Sequence, residues 1–200
     1  MSKLSVLSLF IFAATTLAVP QPRAPAAAPS GFDITGVTLS GSGCGSFVSF
    51  VSPTTKDASV IFDALFASAG PGVSSSENHK NCVVSFAVTI PSGYNFGLKG
   101  LETGAFHQLD SGVSASQTAT YSFTSTTATS PPVVVNGPVG PTSATVGHSF
   151  TFGSVRSPCG GTAVLKVGLD LLITGASGDG FIAKDSLDLN QGDHYDWVTC

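Results

Sequence analysis

The segment GPGVSSSENHKNC, residues 70–82, is a glycine- and serine-rich turn sequence that ends in a cysteine. It leads directly into VVSFAVTI, residues 83–90, where every second residue is apolar. Those residues are Val84, Phe86, Val88 and Ile90. Alternation of this kind predicts a β-strand with one buried face. Because a disulfide at Cys82 would fix where this strand enters the core, we expect the segment to connect two core strands.

The same period of two runs through most of the remaining chain. In 113–124 and 162–174, apolar residues keep one parity while mainly polar or small residues keep the other. Turn sequences rich in Gly, Pro and Ser separate these segments, and helical three-and-four spacing is absent after residue 31. The pattern predicts an all-β fold, a single antiparallel β-sandwich of about ten strands, with a barrel-like arrangement as the alternative.

Parity also predicts which side chains are buried. We interpret 60–66 as one strand covered on both faces, with Phe66 among its buried side chains. The segment 181–189 is interpreted as one strand in which Phe181, Ala183, Leu187 and Leu189 share a parity.

Two further segments carry structural predictions. Residues 126–147 are interpreted as a hairpin with an irregular tip, because glycine and proline interrupt a short valine run. Parity in 146–152 predicts that His148, Phe150 and Phe152 point inward.

The first 30 residues differ from the rest of the chain. Lys3, an apolar run and the small residues near Ala18 predict a secretory signal peptide over residues 1–18. Residues 19–30 are rich in Pro and Ala, which predicts an extended tether or a short pro-segment. Residues 31–200 are then the predicted sandwich domain, long enough for one full core.

Charge limits the kinds of partner. The chain carries 12 acidic and 8 basic residues, a net charge of −4 with histidine neutral. Because no cluster of Lys and Arg occurs, we predict no nucleic-acid partner. Outside the predicted signal peptide, no apolar run approaches the roughly 20 residues of a spanning helix, so no membrane span is predicted.

The four cysteines are Cys44, Cys82, Cys159 and Cys200. An even count in a secreted chain predicts two disulfides, for which three pairings exist. We favour pairing between neighbours in the sequence, Cys44 with Cys82 and Cys159 with Cys200. Each bridge would close a loop of about 40 residues and contribute roughly 4 kcal/mol. A four-cysteine zinc site is disfavoured because no Cys-x-x-Cys pair is present.

The histidines offer no metal-binding pattern. No two of them are three or four residues apart, so we predict neither a metal nor a cofactor. His148 lies on an apolar face and is interpreted as a hydrogen-bonded core histidine. His194, in a segment with two aspartates, is interpreted as part of a solvated loop.

Catalytic patterns are equally sparse. The chain contains no Gly-x-Ser-x-Gly elbow and no glycine loop that leads into a helix. Asp63 is predicted to lie in a buried strand, so Asp63, or another buried acid, is the candidate acid of a glycan hydrolase. The simpler interpretation is that the Asp63 carboxylate forms a cross-strand hydrogen bond. Tyr195 and Trp197 share one face near the C-terminus, either as a sugar platform or as packing over a disulfide.

The tip of the opening segment is a candidate contact loop. It places a carboxylate, an amide, an imidazole and an amine in succession at Glu77, Asn78, His79 and Lys80. No second cluster in the sequence is positioned to work with them. We therefore interpret residues 70–82 mainly as a staple between core strands.

The cysteine frame resembles the domain-of-unknown-function 4360 family, small secreted proteins found mainly in fungi. The matching features are Gly41-Ser42-Gly43-Cys44, Gly70-Pro71-Gly72-Val73, Lys80-Asn81-Cys82, Ser157-Pro158-Cys159-Gly160 and Trp197-x-x-Cys200. The resemblance extends from about Phe32 to Cys200 and implies a secreted, disulfide-bonded β-protein. It implies no activity.

The leading functional hypothesis is a non-catalytic protein that acts outside the cell. The expected partner is a cell-wall polysaccharide or an extracellular protein. A glycan-directed hydrolase and an effector-like binder that uses the loop between Gly70 and Asn81 are the alternatives.

Overall fold

The computed structural model describes residues 28–45, 48–51 (backbone alone), 56–175, 178–190 and 192–200. The predicted signal peptide and most of the predicted tether lie outside these residues. Fourteen strands and one short 3-10 helix are present in the described chain. The first seven strands are β1 (Asp33–Ser40), β2 (Val48–Val51), β3 (Ala58–Phe62), β4 (Phe66–Ala69), β5 (His79–Ile90), β6 (Tyr94–Leu98) and β7 (Gly100–Leu109). The others are β8 (Ser114–Ser122), β9 (Thr127–Thr129), β10 (Val133–Asn136), β11 (Val139–Ser149), β12 (Gly161–Thr174), β13 (Gly180–Leu189) and β14 (Tyr195–Thr199). The helix is Ser75–Glu77.

Two six-stranded antiparallel sheets form the body of the fold. Sheet A has the order β1-β5-β12-β8-β10, with β9 paired to β8. Sheet B has the order β11-β7-β13-β3-β2, with β4 paired to β13. A separate ribbon pairs β14 with β6. The sheets do not close on themselves, so the predicted sandwich is confirmed and the barrel alternative is wrong.

The core lies between the inner faces of the two sheets. Strands β5, β8 and β12 alternate in burial along most of their lengths, as the sequence predicts for 83–90, 113–124 and 162–174. Branched and aromatic side chains fill this space, and burial of their apolar area stabilises the sandwich.

Two parity predictions are wrong, each because the chain is irregular within the predicted strand. Residues 63–65 interrupt the strand predicted over 60–66, so Phe66 begins β4 on the outer face. In β13 a register shift between Lys184 and Ser186 marks a bulge at Asp185. Leu187 points inward, but Phe181 points outward.

Two further corrections concern β10 and β11. They pair with β8 and β7 in different sheets, so residues 126–147 cross between sheets and do not form a hairpin. Phe152 is 68% exposed, since strand β11 ends at Ser149 and parity is lost in the turn that follows.

The favoured disulfide pairing is confirmed. Cys44 bonds to Cys82, and Cys159 bonds to Cys200. The first bridge is buried, and Cys82 lies within β5 in the core. The second is exposed and ties the segment before β12 to the end of β14.

Candidate functional site

Three phenylalanines form an aromatic strip on the outer face of sheet B: Phe66, Phe106 and Phe181. The rings of Phe66 and Phe181 are stacked, with centroids 5.6 Å apart and planes inclined by 28°. Phe106 meets Phe181 edge-on at 6.0 Å. Phe66 is 39% exposed, while Phe106 and Phe181 are half-buried. Since an exposed aromatic cluster on a sheet costs free energy in water, the strip is a candidate ligand surface.

Strand pairing assembles the strip from distant parts of the chain. Ala183 of β13 pairs with Phe66 on one side and with Phe106 on the other. Phe181, two residues earlier, therefore projects from the same outer face between the two neighbours. The small side chain of Ala183 leaves the rings room to approach each other.

The other end of the same face is an acidic groove of about 570 Å³. Its lining residues are Asp57, Ala58, Ser59, Glu102, Asp188, Leu189 and Asn190. Asp188 lies directly opposite Glu102 of β7 and Ser59 of β3. The Ser59 hydroxyl donates a hydrogen bond to Asp188 Oδ1 at 2.7 Å. From Phe181 to Asp188 the face extends about 20 Å along β13.

The bulge places a further carboxylate between the strip and the groove. A Cβ atom on Gly104 would collide with Asp185 Oδ1, so the Asp185 carboxylate occupies the space above this glycine. The amide of Gly104 donates a hydrogen bond to Ser186 Oγ at 3.1 Å. The outer face of sheet B thus carries aromatic rings at one end and carboxylates through its centre and other end.

A smaller depression of about 300 Å³ adjoins the groove and shares Glu102 with it. It is also lined by Lys99 and His194. His194 was predicted in a solvated loop but is buried, and its Nδ1 accepts a hydrogen bond from the Asn190 amide at 3.0 Å. Burial lowers the pKa of His194, although nearby carboxylates, Glu102 first, oppose the change.

Behind this face, a polar cluster lies between the two sheets. Lys184 is 2% exposed, and its Nζ donates a hydrogen bond to Thr103 Oγ1. Gln117 Nε2 lies 2.6 Å from His107 Nε2, and Ser130 Oγ lies 3.3 Å from His148 Nδ1. His148 is therefore a hydrogen-bonded core histidine, as predicted.

Burial shifts the pKa values of this cluster. Desolvation lowers the pKa of Lys184 to about 7, with a partial opposing effect from Asp185. Desolvation and then the charge of Lys184 lower the pKa of His148 to about 4. The same two causes lower the pKa of His107. No described carboxylate forms an ion pair with Lys184.

The predicted contact loop is engaged within the chain. His79 Nε2 lies 2.7 Å from Asp170 Oδ2, and Lys80 Nζ lies 3.0 Å from Glu77 Oε1. The carbonyl of Asn78 accepts a hydrogen bond from the amide of Ile173. The contacts of His79 and Asn78 hold the loop against β12, in keeping with the interpretation of residues 70–82 as a staple.

The other two sequence candidates form no site. Asp63 is exposed in the turn between β3 and β4, so its predicted burial is wrong. Tyr195 and Trp197 pack edge-on against Phe32, and both contact Phe96. Burial raises the pKa of Tyr195. The pair belongs to an aromatic cluster beneath the β6–β14 ribbon and does not form an open platform.

Among the described residues, no group of three or more His, Cys, Asp and Glu side chains is arranged to hold a metal ion. No helix in this part of the chain has the length and apolar character needed to cross a membrane.

The fold and its disulfides define a small antiparallel β-sandwich with one open aromatic and acidic sheet face. The chain belongs to the family described as "Domain of unknown function (DUF4360)", whose sequence model matches residues 30–200. An "Uncharacterized secreted protein" of Arthroderma benhamiae is 30% identical over 179 residues, covering 86% of this chain and 73% of that protein.

Comparison with solved structures finds distant similarity to carbohydrate-binding modules. TmCBM61 in complex with β-1,4-galactotriose has 14% identity and a TM-score of 0.28, covering 79% of this chain and 90% of its own. A family 11 module from Clostridium thermocellum, in complex with a mixed-linked tetrasaccharide, has 7% identity and a TM-score of 0.24. That match covers 84% of this chain and 100% of the module. Identities and TM-scores of this size assign no ligand to the chain.

Sequence reasoning missed the aromatic strip and Lys184. The predicted facing of Phe66 and Phe181 is wrong, because the sequence reasoning included neither the break at 63–65 nor the bulge at Asp185. One signal was present in the sequence. Ile182 and Lys184 have the opposite parity to Leu187. A bulge between Lys184 and Leu187 is therefore required if Ile182 and Leu187 are both to face the core.

Proposed function

We propose that this protein is a secreted, non-catalytic glycan-binding protein whose ligand lies along the outer face of sheet B. The observation that carries the proposal is the stacked aromatic strip, exposed beside a row of hydrogen-bonding groups. The C–H face of a pyranose ring packs on aromatic rings through dispersion and apolar burial. Hydroxyl groups at the ring edge donate hydrogen bonds to carboxylates and amides.

Polar groups that could accept hydrogen bonds from sugar hydroxyls lie at both ends of this face. Ser68 and Gln108 flank Phe181 in a depression of about 360 Å³. Asp188 and Asn190 lie at the opposite end of the face. A face of about 20 Å accommodates several sugar units in succession.

Extracellular action is supported by the disulfides of the chain and by the description of a relative. Both disulfides suit an oxidising compartment, and the Arthroderma relative is described as secreted. The predicted signal peptide is part of the same proposal.

Retention on insoluble cell-wall polysaccharides tests the proposal. We expect the mature protein to bind and the Phe66→Ala/Phe181→Ala variant to bind at least about tenfold more weakly. Phe152→Ala is the matched control, because Phe152 is an exposed phenylalanine outside sheet B that lies near Arg156. Equal loss in the control, or no retention of the unaltered protein on any polysaccharide, would reject the proposal.

A further inference from the structure

Building on the proposed glycan site, on which this step depends, we infer that the ligand is a cationic amino-sugar polymer, of the kind built from glucosamine with free amino groups. The charge distribution on the outer face of sheet B favours such a polymer over a neutral or an acidic one.

Carboxylates greatly outnumber cations along this face. The acids on the face and in its depressions are Asp57, Glu102, Asp179, Asp185, Asp188 and Asp193. Lys99 is the one cation that lines these depressions in the described chain. Its Nζ is directed to the carbonyl of Gly192, 3.4 Å away. Because the pKa of His194 is lowered, that imidazole adds little positive charge.

The carboxylates at the centre of the face lack partners that acids elsewhere in the fold possess. Glu77, Asp170 and Asp196 each form an ion pair, and none of them lies on this face. Neither Glu102 nor Asp185 forms a hydrogen bond or ion pair with another described residue.

Two of the acids oppose each other directly. Glu102 and Asp188 are register partners on adjacent antiparallel strands. Like charges in that position destabilise a sheet, and Ser59 offsets this for Asp188 alone. An ammonium group bound between the two carboxylates would replace this repulsion with attraction.

Carboxylates also lie on both sides of the aromatic strip. Asp179 lies in the depression beside Phe181, whereas Asp185 and Asp188 follow on the other side along β13. A polymer that stacks on the rings would therefore bring successive amino groups close to carboxylates. Polymers of uronic acids would be repelled, and so would a second copy of the same acidic face.

A matched pair of ligands tests the inference. Isothermal titration would compare an oligomer of β-1,4-linked glucosamine with the N-acetylated oligomer of equal length, at a pH where the free amines are protonated. N-acetylation removes the charge and keeps the ring and the linkage. We expect the amino oligomer to bind at least tenfold more tightly, with an affinity that falls as salt increases.

Charge-neutralising variants test which carboxylates produce the preference for the amino oligomer. Glu102→Gln/Asp188→Asn should remove most of the preference for the amino oligomer. Glu77→Gln/Asp170→Asn removes the same charge from two acids that do not line the groove or its neighbouring depressions, and it should retain the preference. Equal affinity for the two oligomers would overturn the charge inference while leaving glycan binding intact. Binding of neither oligomer, nor of any polysaccharide, would instead overturn the proposed function.

Discussion

Lys184 places an amine between the inner faces of the two sheets without a carboxylate partner. Its neighbour Asp185 lies on the outer face of the sheet, so the bulge separates the two charges. Thr103 accepts its hydrogen bond and in turn donates to the carbonyl of Val146 at 3.2 Å. One neutral acceptor does not replace the hydration of an ammonium ion, which is why burial lowers the pKa to about 7.

Replacing Lys184 with methionine should stabilise the protein. Between about pH 7 and pH 10.5 the unfolded chain holds a proton on this amine that the folded chain does not. The free energy of unfolding therefore rises with pH across that window. The destabilisation caused by burying the protonated amine has its full size below about pH 7. We expect Lys184→Met to raise the free energy of unfolding by on the order of 2 kcal/mol near neutral pH, and by progressively less towards pH 10.5.

Urea unfolding at several pH values measures this gain. Lys166→Met is the control, because Lys166 is exposed in the middle of β12. A gain of equal size in both variants, or one that does not change with pH, would contradict the buried-amine argument.

At the scale of single elements, parity reasoning succeeds where a strand is regular and fails at each irregularity. Strands β5, β8 and β12 alternate without a break across their predicted cores. The bulge in β13 inserts one residue, and every side chain on one side of it exchanges faces. Bulges depend on pairing with a neighbouring strand, which the local sequence does not specify.

The two disulfides should respond differently to a reductant. Cys44 and Cys82 are buried against the core, whereas Cys159 and Cys200 are exposed at the end of β14. Since thiol–disulfide exchange requires access of the attacking thiolate, a mild reductant should open Cys159–Cys200 first. The expected consequence is loss of hydrogen-exchange protection in β14 and β6, with sheets A and B still protected.

Mass-spectrometric mapping of alkylated cysteines would follow this reaction. Alkylation of Cys82 before Cys200, or loss of protection throughout both sheets at the first step, would contradict the predicted order.

At the scale of the whole molecule, sheet B separates acidic side chains from basic ones. Carboxylates lie on its outer face, and Lys184, His107 and His148 lie on its inner face. The sequence predicted the fold class, the disulfides and the burial of His148 from local patterns. It did not predict the outer face, because Phe66, Phe106 and Phe181 come from three separate strands that only the sheet pairing brings together.

The buried histidines should make the folded protein sensitive to acid. Between pH 6.5 and about 4 the unfolded chain holds a proton on His148 that the folded chain lacks. The free energy of unfolding should therefore fall as pH decreases through this window, by about 3 kcal/mol from His148 alone. His107 adds to the loss, because its pKa is lowered by the same burial and by the same facing amine of Lys184.

Guanidinium unfolding across this pH range tests the assignment through His148→Gln. The variant should lose markedly less stability than the unaltered protein between pH 6.5 and 4, since an amide takes up no proton. His79→Gln is the control, because His79 is exposed beside Asp170 and outside the buried cluster. Because the two variants differ only at positions 148 and 79, the difference between their pH profiles reports on the buried histidine. Identical pH profiles for the two variants would show that the interior histidine does not limit stability in acid.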